Sequence, residues 1–233
     1  MILRVIAIDG PAASGKSSTA AAVARQLGWG HLDSGALYRA ITLVTIEHLG
    51  ERSREEGEGW SPQKIIALAE DLPVRLVLVD NLFRPEVAGV DVAEAIRSER
   101  VTLRVSEVAA VPQVREWVNA RQRRAVLEHP QGVVVEGRDI GTVVFPDAPL
   151  KVFLTASPEA RARRRLAQRG DSASPEEVSH EATTLAARDR ADSMRAVAPL
   201  KQAPDAVGLD TTTLNEAQQV ARVVALARDR FSG

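Results

Sequence analysis

Residues 10 to 18 read GPAASGKSS and follow directly on the apolar run ILRVIAID of residues 2 to 9. Gly10, four residues, Gly15, Lys16 and Ser17 fit the pattern GxxxxGK[ST]. The spacing has a mechanical meaning. Glycines let backbone amides turn inward around a di- or triphosphate, the lysine reaches the β and γ phosphates, and the serine hydroxyl can ligate Mg²⁺. A helix opening at the same point adds the positive end of its dipole. The segment Gly10, Pro11, Ala12, Ala13, Ser14, Gly15, Lys16, Ser17 and Ser18 therefore reads as a nucleotide phosphate loop. The plain alternative is a glycine-rich turn at a strand end, but a strand before and a helix after are the context a true phosphate loop requires. Such a loop alone does not separate a switch from a kinase. Guanine-specific switches usually carry NKxD, and none of Asn81, Asn119 and Asn215 is followed by lysine, which weakens that reading.

Other residues with chemical potential are spread downstream. Glu136 ends the apolar run VVVE, where a carboxylate can stand near Mg²⁺ or its waters or simply be exposed. Arg188, Asp192 and Arg195 fall at i, i+4 and i+7, one face of a helix, which by itself is most often a solvated ion-pair ladder. In RARRRLAQR (161 to 169), Arg161 and Arg165 share a face and Arg164 lies one turn from Arg161. The chain has no cysteine, so it has no thiol nucleophile and no thiolate metal site. His31, His48, His129 and His180 stand too far apart for HExxH chemistry. Any metal is expected on oxygen ligands and substrate.

A net charge of −1 with a pI near 6.5 gives no bulk attraction to nucleic acid. Only Lys16, Lys64, Lys151 and Lys201 are lysines among the 30 basic residues, an arginine excess that a coding bias would also produce. The apolar stretches fall far short of the roughly 20 residues that span a bilayer, and no leader pattern opens the sequence. A cytoplasmic protein without membrane attachment is the expectation.

The elements that must position these residues alternate. Strand 2–9, loop and alanine-rich helix 16–27 come first, then a short second strand and a helix over 34–49. ERSREEGEGWSP (51 to 62) reads as a loop or linker. Residues 63 to 100 change character, with a short helix followed by small strands joined by turns, and suggest an insertion. Helices follow over 97 to 129, broken or started at Pro112, and then the buried strands of QGVVVEGRDIGTVV and LKVFLTA. Ser157 with Pro158, and Ser174 with Pro175 and Glu177, mark helix starts. AVGLD (206 to 210) is a last strand, and Thr213 with Glu216 marks the closing helix. About five strands alternating with helices predict an α/β fold with a parallel sheet covered on both faces.

The motifs IDGPAASGKSS, LDSGALYR, SEVAAVPQVRE, GRDIGTVVFPDAPLKVFLTAS and RAVAPL resemble the bacterial cytidylate (CMP) kinases over nearly the whole chain. The resemblance implies a single P-loop kinase domain. Its core would be about 1–39, 111–160 and 185–233, its nucleoside monophosphate (NMP)-binding insertion about 40–110 and its lid about 161–180. It implies Mg²⁺-dependent transfer of the γ phosphate of ATP to CMP or dCMP by a monomer. Ser34, Arg39, Ser106, Arg115, Arg138, Asp139, Arg188 and Asp192 would then bind CMP. Lys16, Arg138, Arg188 and Arg195 would carry catalysis, and Arg161 and Arg165 would close on ATP. A carboxylate such as Asp139 suits the N4 amino group of cytosine and repels O4 of uracil, while Arg115 and Ser106 suit the ring acceptors. Ser34, without the resemblance, reads as a helix cap. Two departures stand out: Glu136 lies where relatives more often have Asp, and Ser17 where some have Gly. The rival readings are a kinase for another monophosphate, and a regulatory ATPase module that hydrolyses ATP without an acceptor.

Overall fold

A computed structural model describes residues 4–50, 60–171 and 173–231. In chain order the elements are β1 (Val5–Asp9), α1 (Lys16–Leu27), β2 (Gly30–Asp33), α2 (Gly35–Leu49), α3 (Pro62–Asp71), β3 (Val74–Val79), β4 (Leu82–Val87) and β5 (Val90–Asp91). There follow α4 (Glu99–Ala109), α5 (Pro112–Leu127), β6 (Val133–Gly137), β7 (Leu150–Thr155), α6 (Pro158–Arg169), α7 (Pro175–Ser193), β8 (Val207–Asp210) and α8 (Glu216–Phe231). Backbone contacts divide the chain into two units. One is Met1–His31 with Gln131–Gly233, and the other is Leu32–Pro130.

The first unit is built on the parallel strands β6-β1-β7-β8. In register, Val5 faces Val133, Ile6 faces Leu150 and Val152 faces Val207. Every residue of β1 is buried, which is why VIAID reads as an unbroken apolar run rather than an alternating one. The alanines of α1 and the valines Val220, Val223 and Val224 of α8 pack with Ile6, Ile8 and Val134 into one core. The small alanine side chains in its middle let α1 lie close to the sheet.

The second unit carries α2 to α5 and an antiparallel hairpin, β3 on β4, with Val74 facing Val87 and Val79 facing Leu82. Asp80 and Asn81 both take positive φ (50° and 61°), the two-residue turn whose twist matches a hairpin. Leu37, Ile41, Ile65, Ile96, Val101 and Val114 fill its core.

The sheet is α/β and mostly parallel, as the alternation predicted. Several local expectations are corrected. Of the stretch expected as a linker, residues 51–59 lie outside the described part; its end is helical, because Ser61 Oγ accepts the Lys64 N–H (3.2 Å) and Pro62 opens α3. The closing helix is capped by Asn215 rather than Thr213: Asn215 Oδ1 accepts the Gln218 N–H (2.9 Å) and Gln218 Oε1 accepts the Asn215 N–H (3.0 Å). The turn Leu214 N–H to Thr211 O uses up the residues before it, so Thr213 precedes the cap. Ser157 and the Ser174–Glu177 capping box are in place as read. Arg195 lies beyond the end of α7, so Arg188, Asp192 and Arg195 do not share one helix face.

Candidate active site

In the first unit the C-terminal ends of β1 and β6, neighbours in the sheet, bring the phosphate loop beside Glu136, Arg138 and Asp139. The loop leaves β1 at Gly10, where φ is 149° and an added Cβ would stand 2.1 Å from Leu154 O. Only glycine fits there. Gly15 is also required, since its φ is 95° and a Cβ would meet Gln219 Oε1 at 2.5 Å. Ala13 sits in the left-handed region (φ 57°) without being glycine.

The loop's carbonyls are turned toward protein donors. Pro11 O accepts from Lys16 Nζ (2.6 Å), Ala12 O from Arg161 Nη1 (3.2 Å), Ser14 O from Thr211 Oγ1 (3.0 Å), and Gly15 O from the Thr19 N–H (3.1 Å). Ser18 Oγ also donates to Gly15 O (3.2 Å). Turning carbonyls outward favours a ring of amides facing an anion. Burial, then repulsion by Arg138, brings the Lys16 ammonium down to about 7.

Ser17 Oγ donates to Glu136 Oε2 (2.9 Å), and Glu136 Oε1 lies 3.7 Å from His31 Nε2. Burial alone would raise Glu136, but His31, the Lys16 charge and the Ser17 hydroxyl outweigh it and hold the carboxyl below its usual range. Among the described residues the buried Glu136 Oε1 has no hydrogen-bond partner. A hydroxyl beside an unsatisfied carboxylate oxygen is a donor set suited to Mg²⁺. Among the described residues no cluster of three His, Cys, Asp or Glu side chains forms, so phosphate oxygens and water would have to complete the coordination.

Asp9 closes β1 with a buried carboxylate that accepts the N–H groups of Ile140 (2.9 Å) and Gly141 (2.7 Å). These follow Arg138 and Asp139, so the base of the GRDIG turn is tied to the root of the phosphate loop. Burial pushes the Asp9 carboxyl up to about 6 against the pull of the two N–H groups. Residues 140–144 form a single π turn. Arg138 Nε donates to Asp192 Oδ2 (3.0 Å), and Arg195 reaches the same residue, Nε to the Asp192 carbonyl (3.2 Å). Asp192 is buried at the end of α7, not solvated in a ladder, and draws Arg138 and Arg195 together; Arg188 is half-buried one turn earlier on α7. On α6, Arg161 is buried against Ala12 and Asp189, and Arg165 is half-buried.

The second unit holds Ser34, Arg39, Ser106 and Arg115. Ser34 is buried, yet its side chain makes no capping bond; Asp33 Oδ1 takes the Gly35 N–H instead (2.9 Å). The buried Gln122 fixes Ser34 from behind, Nε2 donating to Ser34 O (2.7 Å). Arg39 Nη1 donates to Thr102 Oγ1 (2.9 Å) on α4, the helix that carries a half-buried Ser106. Arg115 is 3% exposed, donates to Ala109 O (3.1 Å) and lies 5.4 Å from the Tyr38 ring centre.

Sequence reasoning missed Asp9, His31, Gln122 and Asp189. Asp9 left a signal, an acid ending a run of buried residues; the others act on backbone or on one carboxylate at long sequence separation and carry no local pattern.

The sequence model of the family described as Cytidylate kinase matches residues 6–229. The cytidylate kinase of Azotobacter vinelandii is 47% identical over 97% of this chain and 96% of its own length. That of Pseudomonas syringae pv. tomato is 45% identical over 95% and 93%, and that of Mycobacterium leprae 44% over 97% and 96%. The matched span takes in the loop, the GRDIG turn and α7 alike, and the chain belongs to the cytidylate kinase family.

Proposed function

We propose that the chain transfers the γ-phosphoryl group of ATP to CMP or dCMP, giving ADP and CDP or dCDP. The observation that carries this reading is the meeting, at adjacent strand ends, of a phosphate loop with a buried Lys16 and of Arg138 held by Asp192. The loop Gly10–Ser18 holds the ATP phosphates, with Arg165 reaching them from α6. Ser17, with Glu136 near it, would hold Mg²⁺, which when bound neutralises phosphate charge. The resemblance assigns Arg39 and Arg138 to the acceptor's phosphate, Ser34 to the acceptor nucleotide and Asp192 to its ribose. It assigns Asp139, Arg115 and Ser106 to the cytosine edge.

A phosphate monoester with a second pKa of about 6 is already ionised at neutral pH, so the attacking oxygen needs no general base. Catalysis is then positioning and charge stabilisation: Lys16, Arg138, Arg188 and Arg195 offset the charge that accumulates as two polyanions approach. The Asp192 carboxylate, bonded to Arg138 Nε and 3.9 Å from Arg195 Nη2, offsets the repulsion between the two guanidinium groups before substrate arrives. A cytoplasmic monomer is the state we propose for it, and no described helix is long and apolar enough to cross a membrane. The test is ADP formation from ATP with CMP, dCMP, UMP, AMP and no acceptor in parallel. CMP and dCMP should dominate. ADP release that ignores the acceptor would overturn the reading in favour of an ATPase module.

A further inference from the structure

The tip of the phosphate loop is held from outside the loop, by α6 and α7, the two helices that the expected lid overlaps. Ala12 donates its N–H to Asp189 Oδ1 (3.1 Å) on α7 and accepts at its carbonyl from Arg161 Nη1 (3.2 Å) on α6. Arg161 and Asp189 are themselves ion-paired, with side chains only 7% and 17% exposed. Around them Ala12 packs with Ala162, Leu166, Val178 and Leu185, so the backbone at Ala12 is fixed by charge and by apolar contact together. The next residue, Ala13, holds a positive φ of 57° that this grip helps to sustain.

We infer that Arg161 and Asp189 are a positioning pair for ATP, which act on the nucleotide through the Ala12 backbone and set the shape of the loop from α6 and α7. The inference rests on the loop's role as the ATP site. By taking both polar groups of Ala12, the pair turns that residue's carbonyl away from the loop interior and aligns the amides that follow. It also neutralises itself. Asp189 alone would place a negative charge near the phosphates, and its charge is already felt at Lys16. Arg161 is therefore needed to mask Asp189 as well as to hold Ala12. A guanidinium that only touched a phosphate would have no such dependence on its carboxylate partner.

The dependence is measurable. Binding of N-methylanthraniloyl-ATP is titrated in the full chain and in Arg161→Ala, Asp189→Ala, Asp189→Asn, Arg161→Lys and the double alanine variant, alongside KM for ATP and CMP. Arg161→Ala, which leaves Asp189 uncompensated, is expected to weaken ATP binding about tenfold or more, and Asp189→Ala less. The double variant recovers part of the Arg161→Ala loss, while KM for CMP stays within about twofold. Should an alanine variant fail to fold, as judged by its thermal transition, Asp189→Asn and Arg161→Lys read the same split with the side-chain volumes kept. Losses that simply add, unchanged ATP binding, or an equal rise in KM for CMP would overturn the inference. Lys16→Ala serves as the separate control: if it binds the probe normally, the loop is not the ATP site and the pair's role falls with it.

Discussion

Asp9 shows how one buried side chain can carry cost and function at once. Its carboxyl is raised from 3.8 to about 6, so between those pH values the folded chain binds more protons than the unfolded one. Stability from this group is full below pH 3.8 and is lost as pH rises through about 6, about 3 kcal/mol in all. Urea unfolding of the chain and of Asp9→Asn at pH 4 and pH 7 checks this. The difference between the two proteins should shift by about 2 kcal/mol in favour of the variant at the higher pH, since pH 4 already lies just above the unfolded value. A difference that does not move with pH would remove Asp9 as the titrating group. The cost is carried because the ionised carboxylate holds the Ile140 and Gly141 amides and, through them, the turn that bears Asp139. For Asp139 itself the expected change is in selectivity. Asp139→Ala should reduce the preference for CMP over UMP in kcat/KM by about tenfold or more, because the variant loses both the N4 acceptor and the repulsion of O4. Acceptor ratios equal to those of the unmodified chain would take base reading away from this residue.

Between elements, what decides legibility is whether the signal is local. The capping box at Ser174 and the Pro112 start of α5 were readable because cap chemistry lies within four residues. The closing helix was misread by two residues, since TTTLNE offers both Thr213 and Asn215, and the turn closed by Thr211 decides between them. Asn215→Ala should cost about 1 kcal/mol and lower Tm by roughly 2–4 °C, while Thr213→Ala leaves Tm unchanged. The reverse order in a thermal melt would restore Thr213 as the cap. The phosphate loop and the parallel strands were legible for the same local reason: a spacing pattern and unbroken apolar runs. The ties that shape the site were not. Asp9 to Ile140, Ser17 to Glu136 and Ala12 to Asp189 span 131, 119 and 177 residues, and although Asp9, Ser17 and Glu136 each stand at a marked position, nothing in a neighbouring sequence window pairs them with these partners. The face shared by Arg188, Asp192 and Arg195 failed because periodicity cannot show that α7 stops at Ser193.

At the scale of the molecule, a net charge of −1 means that polyanionic substrates are attracted by placement rather than by the overall field. Binding should accordingly register as stability at one site. ATP at 100 times its dissociation constant is expected to raise the unfolding free energy by about 2.7 kcal/mol, and Lys16→Ala at the same ATP concentration should show no rise. Denaturant midpoints with and without ATP give the measurement, and an equal rise in the variant would argue for binding elsewhere. The absence of cysteine, first met as the lack of a nucleophile, has another use. Leu103 in one unit and Met194 in the other are both exposed. Thiols engineered at these positions would be the sole sites for a maleimide dye, so each unit can carry its own reporter of substrate binding without the removal of any native cysteine.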